Sequence, residues 1–363
     1  MRNRYPMGRR VPNNILNMNK IIVTGAAGYI GSNAVVKLVE ETNARVIAID
    51  RREMQWSIPE KYKGKVKKYQ LDIADPGLSQ VFTSNKDQIR GVFHFAGDIS
   101  VPESVEHPLQ YYQNNFFGAM NLIEMCKRYD VNNFVFSSTA AVYGEPKFTK
   151  SKKTVNENDA LVPINPYGES KLMVEQMLRA CSVAYPKLKH CSLRYFNVAG
   201  NDPRQRVYDP YWKEKTNLFP ALMRAYLGYT PDIRIFGNRY KTTDGTAIRD
   251  YIHVTDLIDA HIHAMSRMHS GAPVRPVYNV GNGNGYSVKE VIDSFERVVG
   301  PVPTVQAPRR EGDPERLVSC PKLIKKDFNW KPKYTHIDDM VRTYARMVCN
   351  DPNSEGIWTE KVR

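Results

Sequence analysis

Lys20-Ile21-Ile22-Val23-Thr24-Gly25-Ala26-Ala27-Gly28-Tyr29-Ile30-Gly31 decides the fold. Its first five residues read as a short buried strand. Glycines follow at 25, 28 and 31, and a helical pattern runs to about Thr42. Strand, Gly-rich turn and helix make the context of a dinucleotide-binding unit, because glycines let the backbone approach a pyrophosphate and the helix start offers unpaired N–H groups. The next strand, Arg45-Val46-Ile47-Ala48-Ile49, ends in Asp50, 19 residues after Gly31. An acid there grips the adenine ribose hydroxyls and repels a 2′-phosphate, which points to NAD. Arg51 and Arg52 complicate the choice, since arginines at that place can accommodate the phosphate.

Working outward, the alternation continues. Val66 to Leu71 reads as a strand ending at Asp72-Ile73, and Gly91-Val92-Phe93-His94-Phe95 as another, ending at Ala96-Gly97. A long helix is predicted from about Pro108 to Tyr129. Asn133 to Ser137 is a strand ending at Ser138-Thr139, and Cys191 to Asn197 a further one. Repeated β–α units predict an α/β, Rossmann-type doubly wound parallel sheet. Ligands then lie beyond the carboxyl ends of the strands, where the Gly-rich turn, Asp50, Asp72, Gly97 and Thr139 fall. His94, inside an apolar strand, reads as a core histidine. After residue 198 the texture changes to prolines, tyrosines and basic residues, with helices alternating with short strands. The domains expected are a disordered extension over 1–18, with Met18 as an alternative start, and a dinucleotide domain over 19–198 that receives returns from the later chain. A smaller C-terminal α/β substrate lobe over 199–350 and a tail over 351–363 complete it.

Of the 363 residues, 42% are apolar and 25% charged, the balance of a soluble globular protein. No apolar run is long enough to span a membrane. Five cysteines, odd in number and never spaced C-x-x-C, argue against a disulfide framework and against a zinc site, and fit a reducing, cytoplasmic setting. The formal net charge of +14 raises the question of nucleic acid. The basic residues are dispersed with no aromatic-interleaved stripe, so a positive surface for anionic small molecules is the expectation and no nucleic-acid partner is assigned.

Asn165-Pro166-Tyr167-Gly168-Glu169-Ser170-Lys171 carries the chemistry. Pro166 suits the first position of a helix, whose apolar residues recur to about Tyr185. Tyr167 and Lys171, four apart, share one face. A free phenol titrates near 10. A neighbouring ammonium favours the phenolate, so the pair is a way to make tyrosine a proton acceptor. Alone the spacing is weak, since many helices carry such a pair on a solvated face.

With these residues assembled, the chain resembles the UDP-glucose (UDP-galactose) 4-epimerases of the extended short-chain dehydrogenase/reductase family, from about Lys20 to about residue 345. The resemblance rests on Thr24 to Gly31, His94 to Gly97, Phe136 to Thr139 with Val142-Tyr143-Gly144, Asn165 to Lys171, Leu193 to Asn197, Arg249 to Val254 and Ala307 to Asp313. It implies Tyr167 as catalytic base, Lys171 as its partner and Thr139 as the hydroxyl bridging the sugar O4 and the tyrosine. It implies a bound NAD held by Gly25, Gly28, Tyr29, Ile30, Gly31, Asp50, Asp72, Ile73, Phe95, Ala96, Gly97, Asn115, Tyr167, Lys171 and Tyr195. The UDP-sugar falls to Thr139, Tyr167, Asn197, Asn217, Leu218, Phe236, Arg249, Arg310, Asp313 and Leu317, with the two arginines clamping the diphosphate. The expected reaction is inversion at C4 through a 4-keto sugar with transient hydride transfer to tightly bound NAD. The resemblance also implies a homodimer built on the helices of residues 108–129 and 167–185.

The sequence departs from that pattern in places. Ile99 stands where these epimerases carry a lysine that contacts the cofactor, and Arg51 where asparagine is common. Leu317 aligns with the gate residue for an N-acetyl group at C2, smaller than the tyrosine of restricted members and larger than the cysteine of bifunctional ones. Rival activities are a UDP-N-acetylglucosamine or UDP-glucuronate 4-epimerase, or a decarboxylase, on the same scaffold. A 4,6-dehydratase would need an Asp-Glu pair where Ala140-Ala141 follow Thr139. A rival of another class is a non-catalytic dinucleotide-sensing regulator, supported by charge alone.

Overall fold

A computed structural model of the chain describes residues 20–349 apart from 57, 87, 88, 150, 208, 210 and 311. The expected extension at 1–18, the start at Met18 and the tail at 351–363 lie outside the described residues. Among those described, the strands in chain order are β1 (Lys20–Thr24), β2 (Arg45–Asp50), β3 (Val66–Gln70), β4 (Ile89–His94), β5 (Asn133–Thr139), β6 (Lys189–Tyr195), β7 (Asn197–Ala199), β8 (Ile233–Phe236), β9 (Ile248–His253), β10 (Val277–Val280), β11 (Gly285–Ser287), β12 (Thr304–Ala307) and β13 (Arg316–Leu317).

Seven of them form one parallel sheet in the order β10-β6-β5-β4-β1-β2-β3. The winding reverses between β1 and β4, and a crevice opens at such a reversal. Burial on both faces explains why β1 is an unbroken apolar run rather than an alternating one. Ile21 and Val23 pack into one layer with Val35 and Leu38 of the helix Tyr29–Glu41 and Leu257 and Met265 of the helix Val254–His269. Ile22 faces the other layer, with Leu122, Phe136, Val174 and Leu178 from the helices Gly118–Arg128 and Pro166–Ala184.

The long helix after β4 is not uniform. It runs α-helical over Pro108–Tyr111, widens into a π-helical turn over Tyr112–Phe117, and resumes as α over Gly118–Arg128. Such turns often mark functional sites, and this one carries buried Asn115.

The smaller sheet is built on β9, which pairs with β11 antiparallel and with β13 and β7 in parallel. β8 and β12 form a separate parallel pair. Phe219, Tyr251, Phe295, Met340 and Tyr344 lie in a second core. β10 and the helix Val254–His269 come from the later chain but complete the large sheet and its outer layer.

The basic edge is a correction to the sequence reading, because lysines and aromatics do alternate there. Lys61 and Lys65 lie against the Tyr62 ring, Lys67 against Tyr69 and Lys68 over Trp56. Two of these lysines are tied into the fold. Lys65 donates to Val39 O and Thr42 O at the end of the first helix, and Lys68 to Met54 O and Trp56 O. Charge along β3 also keeps an edge strand from pairing with other chains.

Candidate active site

The Gly-rich turn is shaped by close contact. A Cβ on Gly25 (φ +70°) would stand 2.7 Å from Ala96 N, and one on Gly31 would stand 2.1 Å from Gly25 O. The first glycine therefore lets the turn lie against the exit of β4, and the third lets the helix sit on the turn. That helix starts at Gly28 with no side-chain cap and no acid in its first turn. Its leading amides and dipole thus suit an anion. Within the helix, Tyr29 hydrogen-bonds Gly200 O and so ties the turn to the segment entering the small lobe.

Buried Asp50 ends β2 and bonds to the turn, its Oδ2 accepting Ala27 N at 2.9 Å and its Oδ1 accepting Arg52 N at 2.9 Å. The arginines that complicated the cofactor reading have partners of their own. Arg51 Nη2 meets Asp98 Oδ1 at 2.7 Å, and the Arg52 guanidinium lies 4.1 Å from the centre of the Tyr211 ring. The acid at the strand end with both guanidiniums engaged fits an unphosphorylated ribose better than a 2′-phosphate. Asp72 Oδ1 accepts Ala74 N at 2.9 Å, and Ile73 is buried, its carbonyl held by Asn121 Nδ2 at 2.7 Å. At the exit of β4, Phe95 N and Ala96 N bond Thr24 O and Thr24 Oγ1.

The candidate reaction centre lies at the ends of β4 and β5. The helix Pro166–Ala184 begins as expected, with Pro166 in its first turn and Asn165 Oδ1 accepting Gly168 N at 2.9 Å. A Cβ on Gly168 would lie 2.8 Å from Ala141 O, so glycine lets the helix start press on the turn after β5. Buried Thr139 accepts Ala141 N at 3.1 Å, and the Tyr167 hydroxyl hydrogen-bonds to Thr139. Lys171 is buried and donates to Ser137 O at 3.2 Å, with its ammonium 5.1 Å from the Phe136 ring centre. A Cβ on Gly97 (φ +156°) would lie 2.9 Å from Asn115 Oδ1 and 3.0 Å from Lys171 Nζ, so glycine lets both polar groups come close to the exit of β4.

Burial pushes Lys171 down to about 8, against the opposing charge of Asp98. The phenol has its own surroundings to contend with. Burial of its hydroxyl end raises Tyr167 above its ordinary value, and only the hydrogen bond from Thr139 acts the other way. Sharing a helix face places Lys171 near, but its ammonium is drawn to Ser137 O and toward Asp98 rather than onto the phenol oxygen. Tyr195 reaches Ser137 Oγ, and burial raises its phenol too. His94 is the core residue expected: Thr24 Oγ1 bonds its Nδ1 at 2.7 Å, it stacks on Phe136, and burial lowers it to about 3, leaving it neutral.

The small lobe contributes cations. Arg249 on β9 pairs with Asp313. The Arg310 guanidinium lies 3.6 Å from the centre of the Phe236 ring at the end of β8. Leu317 on β13 stands beside Arg249 in register and packs against the cluster of Tyr143, Leu172 and Phe196. Asn197 opens β7, opposite Tyr251. Asn217 precedes the helix Leu218–Tyr226 without capping it through its side chain, so this helix start too presents its amides.

Residues 21–281 match the NAD dependent epimerase/dehydratase family. The chain belongs to that family. Among its relatives, the UDP-glucose 4-epimerase of Halalkalibacterium halodurans is 40% identical over 326 residues, covering 88% of this chain and 93% of that protein. The crystal structure of the Brucella ovis UDP-glucose 4-epimerase in complex with NAD superposes with a TM-score of 0.81 at 35% identity, over 90% of this chain and 97% of that one. The Bifidobacterium longum UDP-glucose 4-epimerase, solved with NAD+ and UDP, gives 0.80 at 33% identity, over 93% and 100%. Within the family frame, NAD is the cofactor, and the open helix start, the close-packed glycines and buried Asp50 are the residues present to hold it.

The structure brings in residues that the sequence reading passed over. Asp98 follows Gly97, and its main chain is held on both sides by Asn115, through Asp98 N to Asn115 Oδ1 at 2.8 Å and Asn115 Nδ2 to Asp98 O at 3.0 Å. Asn115 Nδ2 also lies 3.1 Å from Ser170 Oγ on the helix of Tyr167. One turn past Lys171, Glu175 receives Arg194 from β6 through three contacts of 2.6–3.2 Å, and Ser138 donates to it as well. An acid directly after the strand-ending glycine, and Glu175 at i+4 from Lys171, were the signals in the sequence. Ile99, in place of the lysine noted above, is 54% exposed.

Proposed function

We propose that the chain is an NAD-dependent UDP-glucose 4-epimerase, interconverting UDP-galactose and UDP-glucose. The observation that carries this reading is the Tyr167–Thr139 hydrogen bond with Lys171 buried behind it, at the carboxyl end of the sheet that ends in the Gly-rich turn. Tyr167 takes the proton of the sugar's 4-hydroxyl, and Thr139 holds that oxygen and the phenol in line. NAD supplies the acceptor for the C4 hydride and its return, which inversion through a 4-keto sugar requires. Lys171, charged below about pH 8 and held on Ser137 O at 3.2 Å, adds a positive charge behind the phenol for the nicotinamide ribose to meet. Arg249 and Arg310 grip the diphosphate, Asn197, Asn217 and the main-chain amide of Leu218 at its helix start add polar contacts there, and Asp313 and Phe236 face the nucleoside. Guanidinium forks match phosphate oxygens, and a handle remote from the reacting carbon holds a loosely gripped ketone.

The test is incubation of the purified protein with UDP-galactose and no added NAD. UDP-glucose is the expected product, and a protein that purifies without nicotinamide and forms none when NAD is supplied sinks the reading. Leu317, set against Phe196 and Leu172, leaves less room at the sugar C2 than a cysteine would. UDP-glucose and UDP-galactose are therefore the main substrates, and Leu317→Cys raises turnover of UDP-N-acetylglucosamine by about tenfold relative to UDP-glucose. An unchanged ratio removes Leu317 from the gate. A homodimer fits the apolar residues exposed on the helices flanking Asn115 and Tyr167, among them Leu109, Phe117, Met120 and Val183. Sedimentation at twice the chain mass is the expected result. Free cysteines throughout the described chain fit the cytoplasm.

A further inference from the structure

Arg51 and Asp98 belong to different strands. Arg51 follows β2 and Asp98 follows Gly97 beyond β4, and β1 lies between those strands in the sheet. Their ion pair, 2.7 Å from Arg51 Nη2 to Asp98 Oδ1, therefore joins the two sides of the strand whose exit is the Gly-rich turn. The two ends differ in rigidity. Asp98 has 15% of its side chain exposed, and its main chain is fixed on both sides by Asn115, which also reaches Ser170 on the helix of Tyr167. Its second carboxylate oxygen, Oδ2, is buried with no hydrogen-bond partner. Arg51 has 46% of its side chain exposed on a flexible stem. The acid is the fixed post and the arginine the moving arm. Opening the pair leaves Asp98 more nearly uncompensated in a partly buried place, which costs more than opening two exposed charges.

We propose that Arg51 and Asp98 form a clasp across the dinucleotide crevice, so that bound NAD leaves only when this ion pair opens. The inference rests on the reading of the crevice as an NAD site. The clasp supplies, from the opposite side of the crevice, a charge contact at the place where Ile99 offers none. It also places the fixed end beside the reaction centre, since Asp98 is the carboxylate whose charge acts on Lys171.

The experiment measures NAD content and the rate of NAD release, by exchange against labelled NAD, for the full chain and for Arg51→Gln, Asp98→Asn and the double variant. Arg51→Gln should release NAD about fivefold faster, Asp98→Asn at least as fast, and the double variant no faster than Asp98→Asn alone, because the ion pair is already lost in that single variant. Raising salt to about 0.5 M should speed release from the parent toward the variants and leave the variants unchanged, since an exposed arm is screened. Release unchanged in Arg51→Gln, additive effects in the double variant, or equal salt dependence throughout overturns the clasp. If Asp98→Asn does not fold, Arg51→Gln with its salt dependence decides alone. A parent chain that binds no NAD refutes the cofactor reading itself, whereas a parent that binds NAD with unaltered release in the variants refutes only the clasp.

Discussion

Lys171 and Glu175 stand one turn apart on the same face of one helix, both buried, and the fold treats them oppositely. Glu175 is neutralised in place, gripped by both Nε and Nη2 of Arg194 and by Ser138. Arg194 in turn donates to Tyr143, which bonds Asn279 on β10 at 2.7 Å. That chain of contacts ties the helix to three strands. Lys171 has a carbonyl at 3.2 Å and, among the described residues, no carboxylate in hydrogen-bond contact, and burial draws it down to about 8. A fully paired charge is fixed, while a charge held by a dipole can still respond to what binds beside it. The difference separates a charge that holds the helix in position from one left able to respond at the candidate site.

The comparison can be broken most severely at the reacting end. Tyr167→Phe removes the proton acceptor and should lower turnover by about 10²–10⁴-fold. NAD content and the unfolding midpoint should stay at parental values. Near-normal turnover in a folded, NAD-loaded variant would take the phenol out of the reaction.

One turn lower, the same loss of a polar group should appear as stability. Arg194→Met leaves Glu175 buried without its counter-charge and should cost about 3–5 kcal/mol in denaturant titrations. The double variant Arg194→Met/Glu175→Leu should recover much of that, because no charge is then left unpaired. A single variant within about 1 kcal/mol of the parent would show that the pair does not hold the helix.

The smallest effect concerns groups whose charge the fold refuses. His94 and His253 are lowered to about 3 and His261 to about 4, all by burial. A histidine depressed in the folded state takes its proton only on unfolding. Stability is therefore full above about pH 6.5 and is lost progressively as pH falls toward those values, at about 1.4 kcal/mol per unit for each group. Asp250 and Asp256, raised to about 6 by burial, act in the opposite sense between about pH 4 and 6. His94→Gln keeps a polar partner for Thr24 and should flatten the fall in unfolding free energy between pH 6.5 and 5. An unchanged slope would mean that His94 accepts a proton while folded.

Much of the fold was legible because its signals are local. Apolar runs, glycines and strand-ending acids recur at fixed spacing, and β1, β2, β5 and the helix after Pro166 fall within a residue or two of their expected limits. The π-helical turn at Tyr112–Phe117 left no mark in the periodicity, because one extra residue per turn hardly alters an apolar pattern that recovers a turn later. Motifs placed Tyr167 beside Thr139 and Asp50 at the end of β2, and the structure sets them there. Spacing put Lys171 on the face of Tyr167 but did not give the direction of its ammonium, which goes to Ser137 O.

The sequence by itself determined the alternating parallel architecture, the dinucleotide turn and the helix that carries Tyr167 and Lys171 on one face, because each rests on local periodicity and motif spacing. Only the tertiary structure decided which charges meet: Arg51 with Asp98, Arg194 with Glu175, Arg249 with Asp313. These partners are 47, 19 and 64 residues apart, and nothing in local spacing selects one carboxylate over another. Pairing is set by which strand ends the sheet order places side by side and by how far each group is withdrawn from water, and both belong to the folded chain.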